Sequence, residues 1–221
     1  MMNVLVVDVG GTHVKVLATG QDEERKFLSG LTMTADQMVK GVLEATTDWS
    51  YEAVSIGYPG PVVKGLPAAE PRNLAPGWVG FDFAAGFNKP VKIINDAAMQ
   101  ALGSYEGGRM LFLGLGTGLG SALICERLVV PLELAHLPYR KGRTFEDYVG
   151  LRGLKRLGPK KWRSAVDDVA CRLQAAIVAD YIVLGGGNSR RLKKLPPGAR
   201  LGDNRNAFQG GFRLWEDYKH G

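Results

Sequence analysis

Apolar residues fall along this chain in short runs broken by glycine or polar clusters, and two periodicities alternate. Residues 3–9 and 13–18 are near-continuous apolar runs joined by only a few residues, which predicts a β-hairpin. Residues 35–46 carry Met38, Val39, Val42 and Leu43 at helical spacing and predict a helix. Short strands are expected at 54–57 and 91–94, the latter running straight into Asn95, Asp96 and a helix over 97–105. Residues 109–115 and 119–124 then repeat the opening pattern of strand, glycine-threonine turn and strand. Helices follow at 145–157 and 161–179, and a last buried strand at 180–184 closes on Gly185, Gly186 and Gly187. The tail, 196–221, is rich in proline and glycine and is expected to be irregular.

The repeat sets the architecture. DVGGTHVKV (8–16) and GLGTGLGSAL (114–123) lie about half a chain apart, as two duplicated α/β domains would place them, facing each other across a cleft. The expected division is an N-terminal domain over 1–104 and a C-terminal one over 105–221.

Composition narrows the class. At 221 residues, 45% hydrophobic and 23% charged, the chain can bury a full core. No apolar run reaches the roughly 18–20 residues that span a bilayer, and the N-terminus lacks a secretory pattern, so a cytoplasmic protein is expected. Cys125 and Cys171 are too few for a cysteine zinc cluster and too far apart in sequence to form a disulfide framework, which fits a reducing compartment. The net charge of +6 is concentrated: residues 139–200 hold fifteen bases against five acids. A solvated basic face is the plain reading, and a polyanionic partner the sharper one.

The chemistry of the turns favours an anion. Gly10 and Gly11, with Gly116, Gly118 and Gly120, let the backbone bend tightly and bring N–H groups against phosphate, while Thr12 and Thr117 add hydroxyl donors. Gly186 and Gly187 form a third such cluster after a buried strand. An ordinary hairpin turn explains one Gly-Gly pair, and explains three clusters less well. Asp8 ends the first strand beside them. A bare carboxylate facing phosphate is repulsive, so it makes sense as a ligand, through water, of a phosphate-bound Mg²⁺; capping the turn is the alternative.

DVGGTHVKV, GYPGPV (57–62), NDAAMQALG (95–103), GLGTGLGSAL, ELAHLP (133–138) and VLGGGNSR (183–190) occur in the order that resembles the ROK family of sugar kinases, across nearly the whole chain. The tail segment LGDNRNAFQGGFRLW (201–215) adds to a resemblance to the polyphosphate or ATP glucokinases within it. The resemblance implies a two-domain, actin-like fold of the hexokinase type. It also implies Asp96 as general base, Asn95, Glu133, His136 and Glu146 as sugar-holding residues, and Gly60 in the pocket wall beside Asn73. Each has a plainer alternative: a helix cap for Asp96, a structural histidine for His136, a Pro-Gly turn for Gly60. Glu133 and His136, three apart, can point the same way in a helical turn. The implied reaction transfers a phosphoryl group from ATP or polyphosphate to the 6-hydroxyl of a hexose, glucose first, with Mg²⁺. A non-catalytic sugar sensor, or a kinase for mannose or an amino sugar, is the competing expectation.

Two departures matter. Many members of that family carry a cysteine-rich zinc motif after E-x-x-H; here residues 137–150 contain no cysteine, so no zinc is expected and the match at Glu146 is looser. The second half is also short, which makes a shallow adenine pocket the expectation. Arg190, Arg191, Lys193 and Lys194 directly follow the third glycine cluster, and Arg152, Lys155 and Arg156 share a helix face, so polyphosphate would be held along these cations if that face borders the donor. The basic segment has no nucleic-acid-binding fold signature, so no nucleic acid and no membrane are expected as partners. A homodimer is compatible with the resemblance.

Overall fold

The computed structural model describes residues 2–216 and the backbone of 219–220. The first half runs β1 (Val4–Val9), β2 (His13–Ala18), β3 (Arg25–Leu28), α1 (Ala35–Ala45), β4 (Ala53–Tyr58), a small β5–β6 hairpin (Val62–Val63, Leu66–Pro67), α2 (Phe83–Phe87), β7 (Val91–Asn95) and α3 (Asp96–Ser104). The second runs β8 (Arg109–Leu115), β9 (Leu119–Cys125), β10 (Leu128–Leu132), a β11–β12 hairpin (Pro138–Arg140, Arg143–Thr144), α4 (Phe145–Val149) and α5 (Leu151–Ile177). It ends with β13 (Tyr181–Gly185), a 3₁₀ turn (Ser189–Arg191), β14 (Ala199–Leu201), α6 (Asn206–Arg213) and β15 (Lys219–His220).

The sheet orders carry the duplication. One sheet reads β3-β2-β1-β4-β7 and the other β15-β10-β9-β8-β13-β14. Each is built on an antiparallel three-strand meander, β1-β2-β3 or β8-β9-β10, whose first strand also pairs in parallel with a later strand, β4 or β13. Leu5, Val7, Val9, Val14 and Val16 face α1 and α2, while Leu111, Leu113, Leu115, Ile182 and Leu184 face α4 and α5. Between the sheets lies a third core, where α3 and α6 meet Val4 and Val6 from one side and Met110, Phe112, Ile124 and Val183 from the other. The result is five layers, with α3 and α6 in the middle one.

The tail is where the structure overturns the sequence expectation. Residues 199–201 form a strand and 206–213 a helix whose Ala207, Phe208, Gly210 and Gly211 are buried. The glycines that read as turn signals are there because the helix must come very close to its neighbours. A Cβ on Gly210 would run into the carbonyl oxygen of Met99, one on Gly103 into the carbonyl of Asn206, and one on Gly211 into Val6. Arg213 seals the crossing by donating to the carbonyls of Leu102 (2.8 Å) and Tyr105 (3.1 Å) at the C-terminus of α3. Elsewhere, the helix expected over 145–157 breaks at Gly150, and the two expected helical runs meet at Gly158, whose φ of 73° kinks α5 just ahead of Pro159.

Replacing Gly210 with Ala forces a methyl group into backbone rather than into a yielding side chain. Gly210→Ala is expected to destabilise the fold by about 3 kcal/mol or more, although alanine favours helix by itself. Urea unfolding checks this, and a midpoint unchanged from wild type would contradict the close crossing.

Candidate active site

The two glycine-threonine turns face each other across a cleft of about 580 Å³, into which the N-terminus of α3 opens. Its wall takes in Gly10, Gly11, Gly60, Asn95 and Asp96 from the first half. From the second half it takes in Gly116, Thr117, Gly118, Glu133, His136, Glu146 and Gly186. Of the sequence-predicted residues, Thr12 and Gly187 are exposed beside the wall, and Asp8 lies at the end of β1 two residues before Gly10.

The turns divide their N–H groups. Gly10 donates to the His13 carbonyl (3.0 Å) and Gly116 to Gly114 and Gly118 (3.2 Å each), so these two shape the turns. Among the described residues, the N–H groups of Gly11, Thr12, Thr117 and Gly118 donate to no protein acceptor, which leaves them for an anion. The third cluster is laced to the second turn. Asn188 donates from its backbone to Leu115 (2.9 Å) and from its side chain to Gly116 (2.9 Å), while Gly186, at φ 78°, lies where a Cβ would strike Leu115 backbone.

Asn95 and Asp96 split two jobs that either could have done. Asn95 caps α3, its Oδ1 accepting from Ala97 (3.0 Å) and Ala98 (3.1 Å), while its Nδ2 donates to the Gly60 carbonyl (3.1 Å). One N–H of that amide remains for a ligand. Asp96 is thereby spared the bridging cap, and its carboxylate meets the Ala97 N–H (2.8 Å) and its own backbone N–H. Burial is the main reason its carboxyl is pushed up to about 7; the field of Asp8 adds to this, as does Glu133 more weakly, while the Ala97 N–H opposes. Burial likewise raises Asp8 to about 6 against the pull of Lys15, its cross-strand neighbour. Glu133 and His136 are exposed on the opposite wall, in a turn rather than a helix, and Ala135 between them accepts from the Glu146 backbone (3.0 Å). The Glu146 carboxylate lies against the second turn, accepting from Leu119 (3.3 Å) and occupying the space where a Cβ on Gly118 would sit. Arg152, in the first turn of α5, approaches it at 3.5 Å.

Four further wall residues, Glu70, Arg72, Gln100 and Phe112, escaped the sequence reading. Gln100 was findable, since it stands one helical turn beyond Asp96 on the same face. Glu70 holds its own loop: its carboxylate accepts from Gly77, Trp78 and Val79 at 3.1–3.3 Å, and these bonds keep it below the usual carboxylate range. Nothing in the sequence pattern marks Arg72.

The sign of the Asp96 shift gives a stability test. Its folded-state value of about 7 lies above the ordinary 3.8, so the folded protein holds the proton more tightly than the unfolded chain. Stability is therefore lost as pH rises from the lower value through the higher one. A shift of that size allows at most about 4 kcal/mol, and water in the cleft reduces it. Asp96→Asn is expected to gain about 1–2 kcal/mol at pH 8 and nothing at pH 3.5. Thermal melts at both pH values check it; an equal effect at both would contradict the buried-carboxylate account.

The geometry can be set beside known proteins. A sequence profile of the ROK family matches residues 4–130, more than half the chain. A polyphosphate glucokinase of Mycobacterium tuberculosis is 28% identical over 217 residues, covering 86% of this chain and 80% of the relative. Among solved structures, the inorganic polyphosphate/ATP-glucomannokinase of Arthrobacter sp. strain KM superposes with a TM-score of 0.79 at 22% identity, over 96% of this chain and 97% of that one. The ROK family glucokinase of Streptomyces griseus, solved with glucose and AMPPNP, gives 0.73 at 16% identity over 96% and 98%. These likenesses bear out the actin-like, hexokinase-type α/β fold that the family resemblance implied. With its paired phosphate-type turns, Asn95-Asp96 at the head of α3 and the profile match, the chain belongs to the ROK family.

Proposed function

We propose that the protein is a hexose kinase, transferring the terminal phosphoryl group of ATP or polyphosphate to the 6-hydroxyl of glucose. The observation that carries this is Asp96, a carboxylate freed from capping duty and held at the cleft between two turns with open N–H groups. The names of the relatives support glucose as acceptor and polyphosphate or ATP as donor.

In this reading Asp96 accepts the proton of the attacking hydroxyl, and a carboxyl poised near neutrality suits that exchange. The remaining N–H of Asn95, with Glu133, His136 and Glu146, holds the ring hydroxyls by alternating donors and acceptors. Gly11, Thr12, Thr117 and Gly118 present their N–H groups to the donor phosphates, with Gly186 and Gly187 behind the second turn. Asp8 fits an Mg²⁺ bound mainly by phosphate and water, because burial and the field of Glu24 disfavour its bare charge and a cation would restore it. Bound there, Mg²⁺ supplies neutralisation of phosphate charge. The domain division at residues 104–105 belongs to the same proposal, with α3 and α6 at the joint. So do a cytoplasmic location, small-molecule rather than nucleic-acid or membrane partners, and a homodimer as the assembly to test. No described helix is long and apolar enough to cross a membrane.

The activity test is a panel of hexoses with ATP and polyphosphate in parallel. Glucose is expected to be turned over, and Asp96→Asn to lower kcat by about 10²–10⁴ while glucose binding survives. A kcat within a few-fold of wild type would refute the base assignment, and no turnover of any hexose would refute the kinase.

The proposal includes no zinc, and the hairpin over 138–144 has another anchor. The Asp168 carboxylate accepts from Tyr139 (2.6 Å), Arg140 (3.1 Å) and Arg172 (2.8 Å), and Tyr139 packs edge-on to Tyr148. That cluster ties the segment leading from His136 to Glu146 onto α5. Elemental analysis is expected to find no zinc, and Asp168→Ala to raise the KM for glucose by about tenfold. Stoichiometric zinc, or an unchanged KM, would contradict the anchor.

A further inference from the structure

Among the described residues, the cleft wall holds four carboxylates, those of Glu70, Asp96, Glu133 and Glu146, but a single Lys or Arg, which is Arg72. Phosphoryl transfer places several negative charges in such a space, and positive groups fixed at the non-bridging oxygens are its main source of acceleration. The loop that carries Arg72 is braced on three sides. Tyr58 donates to the Ala69 carbonyl (2.8 Å), Glu70 grips the backbone of Gly77, Trp78 and Val79, and Asn73 presses on the first phosphate turn, where a Cβ on Gly11 would lie 3.0 Å from its own. Trp78, fully buried, packs against Tyr58 beneath the loop (5.7 Å between rings). Arg72 itself is exposed, and among the described residues its side chain has no hydrogen bond and no ion pair. A braced backbone with a free guanidinium at the mouth of an acidic cleft is the arrangement of a ligand-facing group.

Resting on the kinase reading above, we infer that Arg72 is a catalytic residue that donates to the non-bridging oxygens of the phosphoryl group in flight. As the bond from O6 to phosphorus forms, the bond from phosphorus to the donor's bridging oxygen breaks. The hydroxyl proton goes to Asp96, the leaving electron pair stays on the donor phosphate, and the planar fork of Arg72 spans two oxygens of the group between them. The same contact persists in the product, so Arg72 also contributes to binding the sugar phosphate.

The experiment compares wild type, Arg72→Ala and Arg72→Lys. Arg72→Ala is expected to lower kcat by about 10²-fold, with the dissociation constant for glucose within twofold of wild type. Its affinity for glucose 6-phosphate and for inorganic tripolyphosphate, read by calorimetry, is expected to fall about tenfold. Added guanidinium ion is expected to restore part of the kcat of Arg72→Ala but not of Arg72→Lys, a response that a loop-packing role would not produce. A kcat within threefold of wild type, or unchanged affinity for both phosphate ligands, would overturn the assignment and return Arg72 to a solvated surface residue. Should wild type phosphorylate no hexose, the kinase reading falls, while the tripolyphosphate comparison still decides whether Arg72 faces phosphate.

Discussion

Two helices crossing backbone to backbone set the spacing of the whole molecule. Because Gly103 and Gly210 leave no side chain between α3 and α6, both helices fit as one layer between the sheets, and Arg213 ties off the carbonyl end of α3. The other end of α3 is then fixed as well. It opens between the two glycine-threonine turns, with Ala97 against Gly120 of the second sheet and Asp96 beside Gly57 of the first. The position of Asp96 is a consequence of helix packing far from the cleft. Its protonation is a contest that burial wins: the helix N-terminus and the Ala97 N–H favour the charged form, yet burial and Asp8 push the carboxyl up to about 7.

The duplication is a matter of topology more than of chemistry. The first hairpin of each meander closes on a tight glycine turn, but the pair before the last differs: Asp8 opposite Lys15 in the first, Gly114 opposite Gly120 in the second. The first turn thus has a carboxylate at its base. The second brings bare backbone, and is backed by Asn188 and by the start of α5, where Leu151 donates to the Thr117 carbonyl (3.1 Å). A carboxylate at the base of one turn and a close backbone approach at the other make the two turns chemically unequal.

Legibility in the sequence followed locality. The paired hairpins, β4, β7 and α3 were readable because apolar period and glycine turns are local signals, and the residues around Asn95, Glu133 and His136 were readable because motif order carries them. The helix over 206–213 was not, since glycine signals a turn unless the partner backbone is known, and that partner lies about a hundred residues earlier. Arg72 and Glu70 were missed for a related reason. Their loop has no period, and its shape depends on Tyr58 below it and on the peptide N–H groups of residues 77–79.

The basic segment shows how far a charge count must be discounted once partners are known. Arg140 and Arg172 are occupied by Asp168, Arg200 by Glu106 and the Ser104 carbonyl, and Arg152 by Glu146. Arg156 donates to the Asp147 carbonyl (2.8 Å) and stacks on Tyr148, so its head is held down on α4 rather than standing free beside Lys155. Among the described residues, Arg190, Lys193 and Lys194 have no hydrogen bond or ion pair through their side chains, and they lie a few residues past Gly187, with Arg163 steadying the Arg191 carbonyl at 3.4 Å. Exposed lysines near one another hold a polyanion by summed, salt-sensitive attraction rather than by fixed geometry. Among the described residues, the uncommitted positive charge therefore lies in two places, on the exposed Arg190, Lys193 and Lys194 past the third glycine cluster and on Arg72 in the cleft wall.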